Sequence, residues 1–248
     1  IYRGSMRSAS YASTPVIPII GQTIFAGLAF LELIMISAIA PAVTAGAVSG
    51  EKEKQTYEML LTTPLQPVHI LWGKLISALS YVFLLIFAAI PLASLVFIFG
   101  GVTLRDMAKS LMVIIATAVL FGVVGLFTST LFGRTGRSTA ITYVIVFLML
   151  FAPILVAAAA GVVRQTEPPR WLLIPSPFSA LGSAMLPSVN PGNLLNQFWM
   201  FGGMYWFWGP PNMSIDSIPR PLYHYSLPVF GFITLALYLV ASRLILPT

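Results

Sequence analysis

Five runs of about 20 or more mostly apolar residues constrain this chain more than any other feature of its sequence. At a helical rise of about 1.5 Å per residue, about 20 residues cross the hydrocarbon core of a bilayer. The backbone polar groups find no water there, so each run must pair them within itself, as a helix does. The runs lack the alternating hydrophobicity of membrane β-strands. They cover about residues 16–48, 75–99, 110–132, 139–163 and 225–246.

The composition points to the same fold class. Hydrophobic residues make up 58% of the chain and charged residues 8%, whereas a soluble domain carries about 25% charged residues. We therefore predict an all-α, polytopic helical membrane protein that forms one transmembrane domain over residues 1–248. The formal charge of +6 suits contact with anionic membrane lipids. Nothing in the sequence suggests binding to nucleic acid.

A charged segment interrupts the apolar pattern between the first two runs. It reads SGEKEKQTYEMLLTTPL from Ser49 to Leu65, with five charges between Glu51 and Glu58. The spacing predicts a short amphipathic helix over about 50–62, with Ser49 as its N-cap. Such a helix is suited to transmit movement from a soluble partner into the membrane domain. A solvated loop that only keeps the helix ends in water is the alternative, and the pattern does not decide between them.

The region of about residues 164–224 lies between the last two apolar runs. It is rich in Pro, Trp and Asn. We expect interfacial or re-entrant elements that cap one face of the bundle, with a disordered apolar loop as the alternative. The Lys and Arg residues divide six against seven between the two sides, so charge bias alone does not predict the orientation.

The segment SGEKEKQTYEMLLTTPLQPVHILWGKL resembles the one that follows the second membrane helix in ABC-2-type transporter permeases. The family pattern there is an acidic–basic–acidic triplet, a Thr or Gly with an aromatic or aliphatic neighbour, Leu-like residues, Ser/Thr-Pro, and Gly-Lys in the next helix. This chain matches it with Glu51, Lys52, Glu53, Thr56, Tyr57, Leu60, Leu61, Thr63, Pro64, Gly73 and Lys74.

The resemblance implies a membrane-spanning permease subunit of an ATP-binding cassette exporter. Such permeases form homo- or heterodimers, and a separate subunit binds ATP and Mg²⁺ and hydrolyses the ATP. The coupling helix that docks on that subunit would use Glu51, Lys52, Glu53, Thr56, Tyr57, Leu60, Leu61 and Pro64. We expect a multi-pass protein of the cell (plasma) membrane, which in a bacterium is the inner membrane. The region 164–224 would then lie on the outer side of that membrane. The family has six membrane helices, so we also expect that the first one is missing from this fragment.

Glu32 lies near the middle of the first run, where a carboxylate is costly and a functional role is the default hypothesis. It is a candidate for a substrate path or, in an alternative reading, the proton carrier of a secondary transporter. Hydrogen bonding to a neighbouring helix, to Gln22 or to Ser37 would instead make it a packing group. A membrane scaffold without transport activity is a further alternative.

Enzymatic chemistry has little support in the sequence. Cysteine is absent, and His69 and His224 have no second ligand at useful spacing, so we expect no metal site. A phosphate-binding loop of the type G-x-x-x-x-G-K-[ST] does not occur. We therefore predict no catalytic residue and no cofactor on this chain.

Overall fold

The computed structural model describes residues 16–56, 67–164, 170–185 and 222–244. In these ranges 89% of the residues are helical, and no strand occurs. The helices are α1 (Val16–Thr44), α2 (Ser49–Glu53), α3 (Pro67–Ser94), α4 (Val96–Phe99), α5 (Leu104–Leu131), α6 (Thr135–Arg164), α7 (Pro177–Met185) and α8 (Tyr223–Leu244), with a 3-10 turn at Arg170–Leu173 between α6 and α7.

Five of the described helices, α1, α3, α5, α6 and α8, belong to segments that are long and apolar enough to cross a membrane. The predicted all-helical fold with five such helices is therefore confirmed. Two of the helices begin before the apolar runs that predicted them: α3 begins at Pro67 and α5 at Leu104. Both run past the predicted spans because polar residues near a helix end can lie in the headgroup layer and remain helical.

Helix α5 is the centre of the bundle. It packs against α1, α3, α6, α7 and α8. Every residue from Leu120 to Leu126 is buried. Because a helical turn takes about 3.6 residues, this stretch is enclosed on all sides. The other membrane helices surround α5 and expose much of their apolar surface.

Two glycines allow the neighbouring helices to approach the backbone of α5 closely. A Cβ atom on Gly125 would lie 2.0 Å from Thr44 Oγ1 and 3.2 Å from the backbone nitrogen of Ala45. A Cβ atom on Gly122 would lie 2.7 Å from Leu79 Cδ2. Small residues play this role widely in membrane helix packing, because apolar side chains gain little from leaving lipid for one another. The end of α1 and the middle of α3 are therefore held directly on the central helix.

Helix α7 packs inside the bundle and is too short to cross it. It begins at Pro177, the position where proline suits a helix start because no backbone N–H is needed there. The Phe178 ring centroid lies 5.9 Å from that of Phe30 and 5.7 Å from that of Phe151. Residues 165–169 and 186–221 lie outside the described residues. The position of the region 164–224 on the outer face of the membrane therefore stays a prediction.

Candidate functional site

The candidate site lies at one end of the bundle, which we call the α2 end. It comprises residues 45–56, Lys74 near the start of α3, the last turn of α5 and the first turns of α6. The three charges of the Glu51–Lys52–Glu53 triplet each contact a different one of these helices.

Glu51 links α2 to α3 through an ion pair. Its Oε1 atom lies 2.5 Å from Lys74 Nζ, and Lys74 Nζ also donates a hydrogen bond to the carbonyl oxygen of Ala47 at 2.6 Å. Both side chains are partly shielded from solvent, with 17% of Lys74 and 32% of Glu51 exposed. The second carboxylate oxygen of Glu51, Oε2, is buried without a hydrogen-bond partner among the described residues. Lys74 therefore connects α3 both to α2 and to the turn that follows α1.

Lys52 links α2 to the end of α5. Its Nζ atom donates a hydrogen bond of 2.6 Å to the carbonyl oxygen of Thr130, in the last turn of α5. Carbonyl groups at a helix C-terminus have no partner within the helix and carry partial negative charge. A lysine ammonium group at this position both satisfies such a carbonyl and matches the helix dipole.

Glu53 links α2 to the start of α6. Its Oε2 atom accepts hydrogen bonds from the backbone N–H of Thr135 at 3.2 Å and from Thr135 Oγ1 at 2.8 Å. A carboxylate satisfies an unpaired N–H at a helix N-terminus and matches its partial positive charge. The two adjacent side chains of Lys52 and Glu53 thus hold the two sides of the α5–α6 turn, each with the charge that its helix end favours.

Ser129 of α5 supports the start of α2. Its Oγ atom accepts hydrogen bonds from the backbone N–H groups of Val48, at 2.8 Å, and Ser49, at 2.9 Å. The prediction that Ser49 caps α2 was wrong: Val48 occupies the cap position, and the Ser49 hydroxyl donates to the carbonyl of Ala45 at 2.9 Å. Ser129 of α5 therefore supplies the acceptor for the N–H groups at the start of α2.

Further buried hydroxyl groups connect α6 to the same point. Ser138 Oγ donates to the carbonyl of Ala45 at 2.8 Å, and the Thr128 and Thr142 hydroxyls lie 2.5 Å apart. Sequence reasoning missed Ser129, Thr135 and Ser138, since hydroxyl residues within or beside apolar runs are common and these contacts span 80 or more residues. No local pattern identifies such pairs.

The helix predicted over about 50–62 is shorter than expected where the structure describes it. Helix α2 ends at Glu53, and Gln55 has φ of 59°, a left-handed conformation that does not continue a right-handed helix. Lys54, Gln55 and Thr56 are exposed. Tyr57, Leu60, Leu61 and Pro64 lie outside the described residues, so their assignment to the coupling surface stays a prediction.

Glu32 lies apart from the α2 end, in α1. It lines a cavity of about 260 Å³ between α1, α3 and α5. The two partners that would make it a packing group bond elsewhere: Gln22 Nε2 donates to the carbonyl of Gly101, and Ser37 Oγ donates to that of Ile34. Glu32 Oε1 is buried and has no hydrogen-bond partner in the part of the chain that the structure describes.

The described part of the chain does not bring metal ligands together. Over residues 16–56, 67–164, 170–185 and 222–244, no group of three or more His, Asp or Glu side chains could hold a metal ion. His69 and His224 lie near the starts of two different helices, α3 and α8.

The fold and the comparisons with known proteins define the class of protein. Membrane-crossing helices packed around a buried central helix make it a multi-pass membrane protein. The chain belongs to the family described as "ABC-2 family transporter protein", whose profile matches residues 6–241. It is 32% identical over 127 residues to a Bacillus subtilis (strain 168) protein described as "Uncharacterized membrane protein YdbK". That match covers 48% of this chain and 50% of the relative, so the chain spans about half of the relative's length. No solved structure matches the chain.

Family membership confirms the resemblance drawn from the charged segment. The family is one of membrane transport components.

Replacing Ser129 by alanine should destabilise the α2 end. The change leaves the N–H groups of Val48 and Ser49 buried without an acceptor, which costs about 1 to 3 kcal/mol. The thermal unfolding midpoint of the purified protein should fall, and the segment around residue 55 should be cut faster by trypsin. Ser80→Ala is the matched control, since the Ser80 hydroxyl is exposed and donates its hydrogen bond to the Ser77 carbonyl of its own helix. Equal effects of the two variants would contradict the assigned role of Ser129.

Proposed function

We propose that the chain is the membrane-spanning subunit of an ABC exporter, which couples ATP hydrolysis on a separate subunit to export of a substrate. The observation that carries this proposal is the division of the Glu51–Lys52–Glu53 triplet among α3, α5 and α6. A segment bonded to three membrane helices at one end of the bundle can move them together when a partner displaces it.

The proposed division of labour within the segment follows from burial. Glu51 and Lys52 are partly buried against the bundle, and the exposed Glu53 is bonded to Thr135, so these residues transmit movement. The exposed residues from Lys54 to Thr56 begin the surface on which the ATPase docks. We assign the rest of that surface to Tyr57, Leu60, Leu61 and Pro64 of the family motif.

The proposal places the α2 end in the cytoplasm, where ATP is available, and the chain in a bacterial plasma membrane. A second permease subunit, identical or homologous, completes the transport unit. ATP and Mg²⁺ are bound by the ATPase partner. Glu32 and its cavity lie on helices α1, α3 and α5, two of which (α3 and α5) are bonded to α2, so the proposed movement reaches the cavity directly.

Docking of the ATPase is tested by Leu60→Asp. The affinity-tagged wild-type chain should retain, from its native membranes, a subunit with a phosphate-binding loop and ATPase activity. Leu60→Asp should lose it, because a carboxylate placed in the apolar part of an interface is desolvated without a partner.

Leu104→Asp is the control for that experiment. Leu104 is 72% exposed in the first turn of α5, at the opposite end of the bundle, so the same chemical change there should leave the ATPase bound. Wild-type membranes that yield no such ATPase, or a Leu60→Asp chain that keeps it, would contradict the proposal.

Transmission through the ion pair is tested by Lys74→Gln without knowledge of the substrate. The chain has no cysteine, so Ser94→Cys in α3 introduces a single thiol, at an exposed position away from the α2 end. In the complex with the ATPase, trapping the nucleotide-bound state with ATP and vanadate should change the labelling rate of this thiol. Lys74→Gln should reduce that change by about fivefold or more, the range of a coupling free energy of about 1 kcal/mol and above.

Lys109→Gln is the matched control, because Lys109 pairs with Asp106 at 3.3 Å at the other end of α5. It should leave the nucleotide-dependent labelling unchanged. If both lysine variants behave like the parent, the ion pair between Glu51 and Lys74 does not carry the signal.

A further inference from the structure

The cavity beside Glu32 has the chemical features of a binding site. It holds about 260 Å³ and is lined almost entirely by apolar side chains of α1, α3 and α5. An apolar cavity of about 150 Å³ is enough to bind benzene, so this one accommodates about one or two rings. Ligand sites in proteins combine such apolar walls with a few polar groups that fix orientation.

Two polar atoms on the cavity wall have no partner in the part of the chain that the structure describes. Glu32 Oε1 and Ser110 Oγ are buried with no hydrogen-bond partner among the described residues. Ser110 is 1% exposed, so lipid and water do not reach its side chain. Helical serines usually return their hydroxyl to a carbonyl of the preceding turn. Ser37, Ser80 and Ser94 do so in this chain, whereas Ser110 does not.

The cavity opens to the outside of the bundle between α1 and α3. The residues at its rim are exposed: Leu31 by 54%, Met35 by 48% and Leu92 by 58%. Its inner wall includes the buried Phe25, Ala29 and Ile114. A molecule dissolved in the lipid could therefore enter from the side, without passing through water.

We propose that this cavity binds an apolar molecule of one or two rings that carries a protonated amine. The ammonium group donates hydrogen bonds to the Glu32 carboxylate and neutralises its charge, so no net charge is left buried in the cavity. A lipid headgroup amine does not fit, because Glu32 lies near the middle of α1 and headgroups lie at the membrane surface. Binding stands apart from the proposed ATP coupling; only the further step, that the amine is the exported substrate, rests on it.

Photolabelling of the purified chain alone tests this site. The probe is an aromatic alkylamine with a diazirine group, and its neutral isostere carries a methyl group in place of the ammonium. The amine should label residues of α1, α3 and α5 around the cavity, located by mass spectrometry. The isostere, and the amine on Glu32→Gln, should each label at least tenfold less.

Cavity-filling variants keep the test decisive if Glu32→Gln fails to fold. Ala89→Phe fills the cavity from α3 and should abolish labelling, whereas Ala236→Phe on the exposed face of α8 should not. Equal labelling by the isostere or by a neutral ketone analogue, or labelling unchanged by Ala89→Phe, would overturn the proposal. The labelling experiment contains no ATPase, so its result does not depend on the docking test. If the amine labels the cavity and the docking test fails, the binding site is supported and only the coupling to ATP is contradicted.

Discussion

The bonding of the Glu51–Lys52–Glu53 triplet to the ends of three helices is the interaction on which the α2 end depends. Lys52 and Glu53 each bond a backbone group that has no partner within its own helix. Lys52 donates a hydrogen bond to a carbonyl at the end of α5, and Glu53 accepts one from an N–H at the start of α6. Glu51 pairs with the ammonium of Lys74 on α3. A chain with only 8% charged residues concentrates them here because helix ends at the membrane surface offer charges specific partners.

The membrane helices and the importance of the charged segment could be predicted from sequence, because both depend on local patterns. The membrane helices are recognised because the apolar runs match the thickness of the bilayer. The triplet is recognised because it groups charged residues in a chain that has few of them. The internal connections could not be predicted. Ser129 and Ser138 lie within or beside apolar runs, and nothing in their own neighbourhood marks them as partners of residues 45–49. The early end of α2 depends on the left-handed Gln55, a residue type that rarely adopts this conformation.

The central helix α5 joins the two candidate sites in one body. Ser129 and Thr130 near its end hold α2, and Ser110 near its start lines the cavity. Helix α3 makes a similar connection, from Lys74 to Leu92. Close contact at Gly122 and Gly125 leaves little room for these helices to slide independently. A displacement of α2 would therefore move the cavity walls as well.

The most direct measurement of the central claim is the side of the membrane on which the α2 end lies. In the cysteine-free chain, Lys54→Cys and Arg105→Cys each introduce one exposed thiol, at opposite ends of the bundle. With a membrane-impermeant maleimide, Arg105→Cys should react in intact cells, and Lys54→Cys only in inside-out vesicles. Reaction of Lys54→Cys in intact cells would place the α2 end outside, away from any ATPase, and would contradict the account.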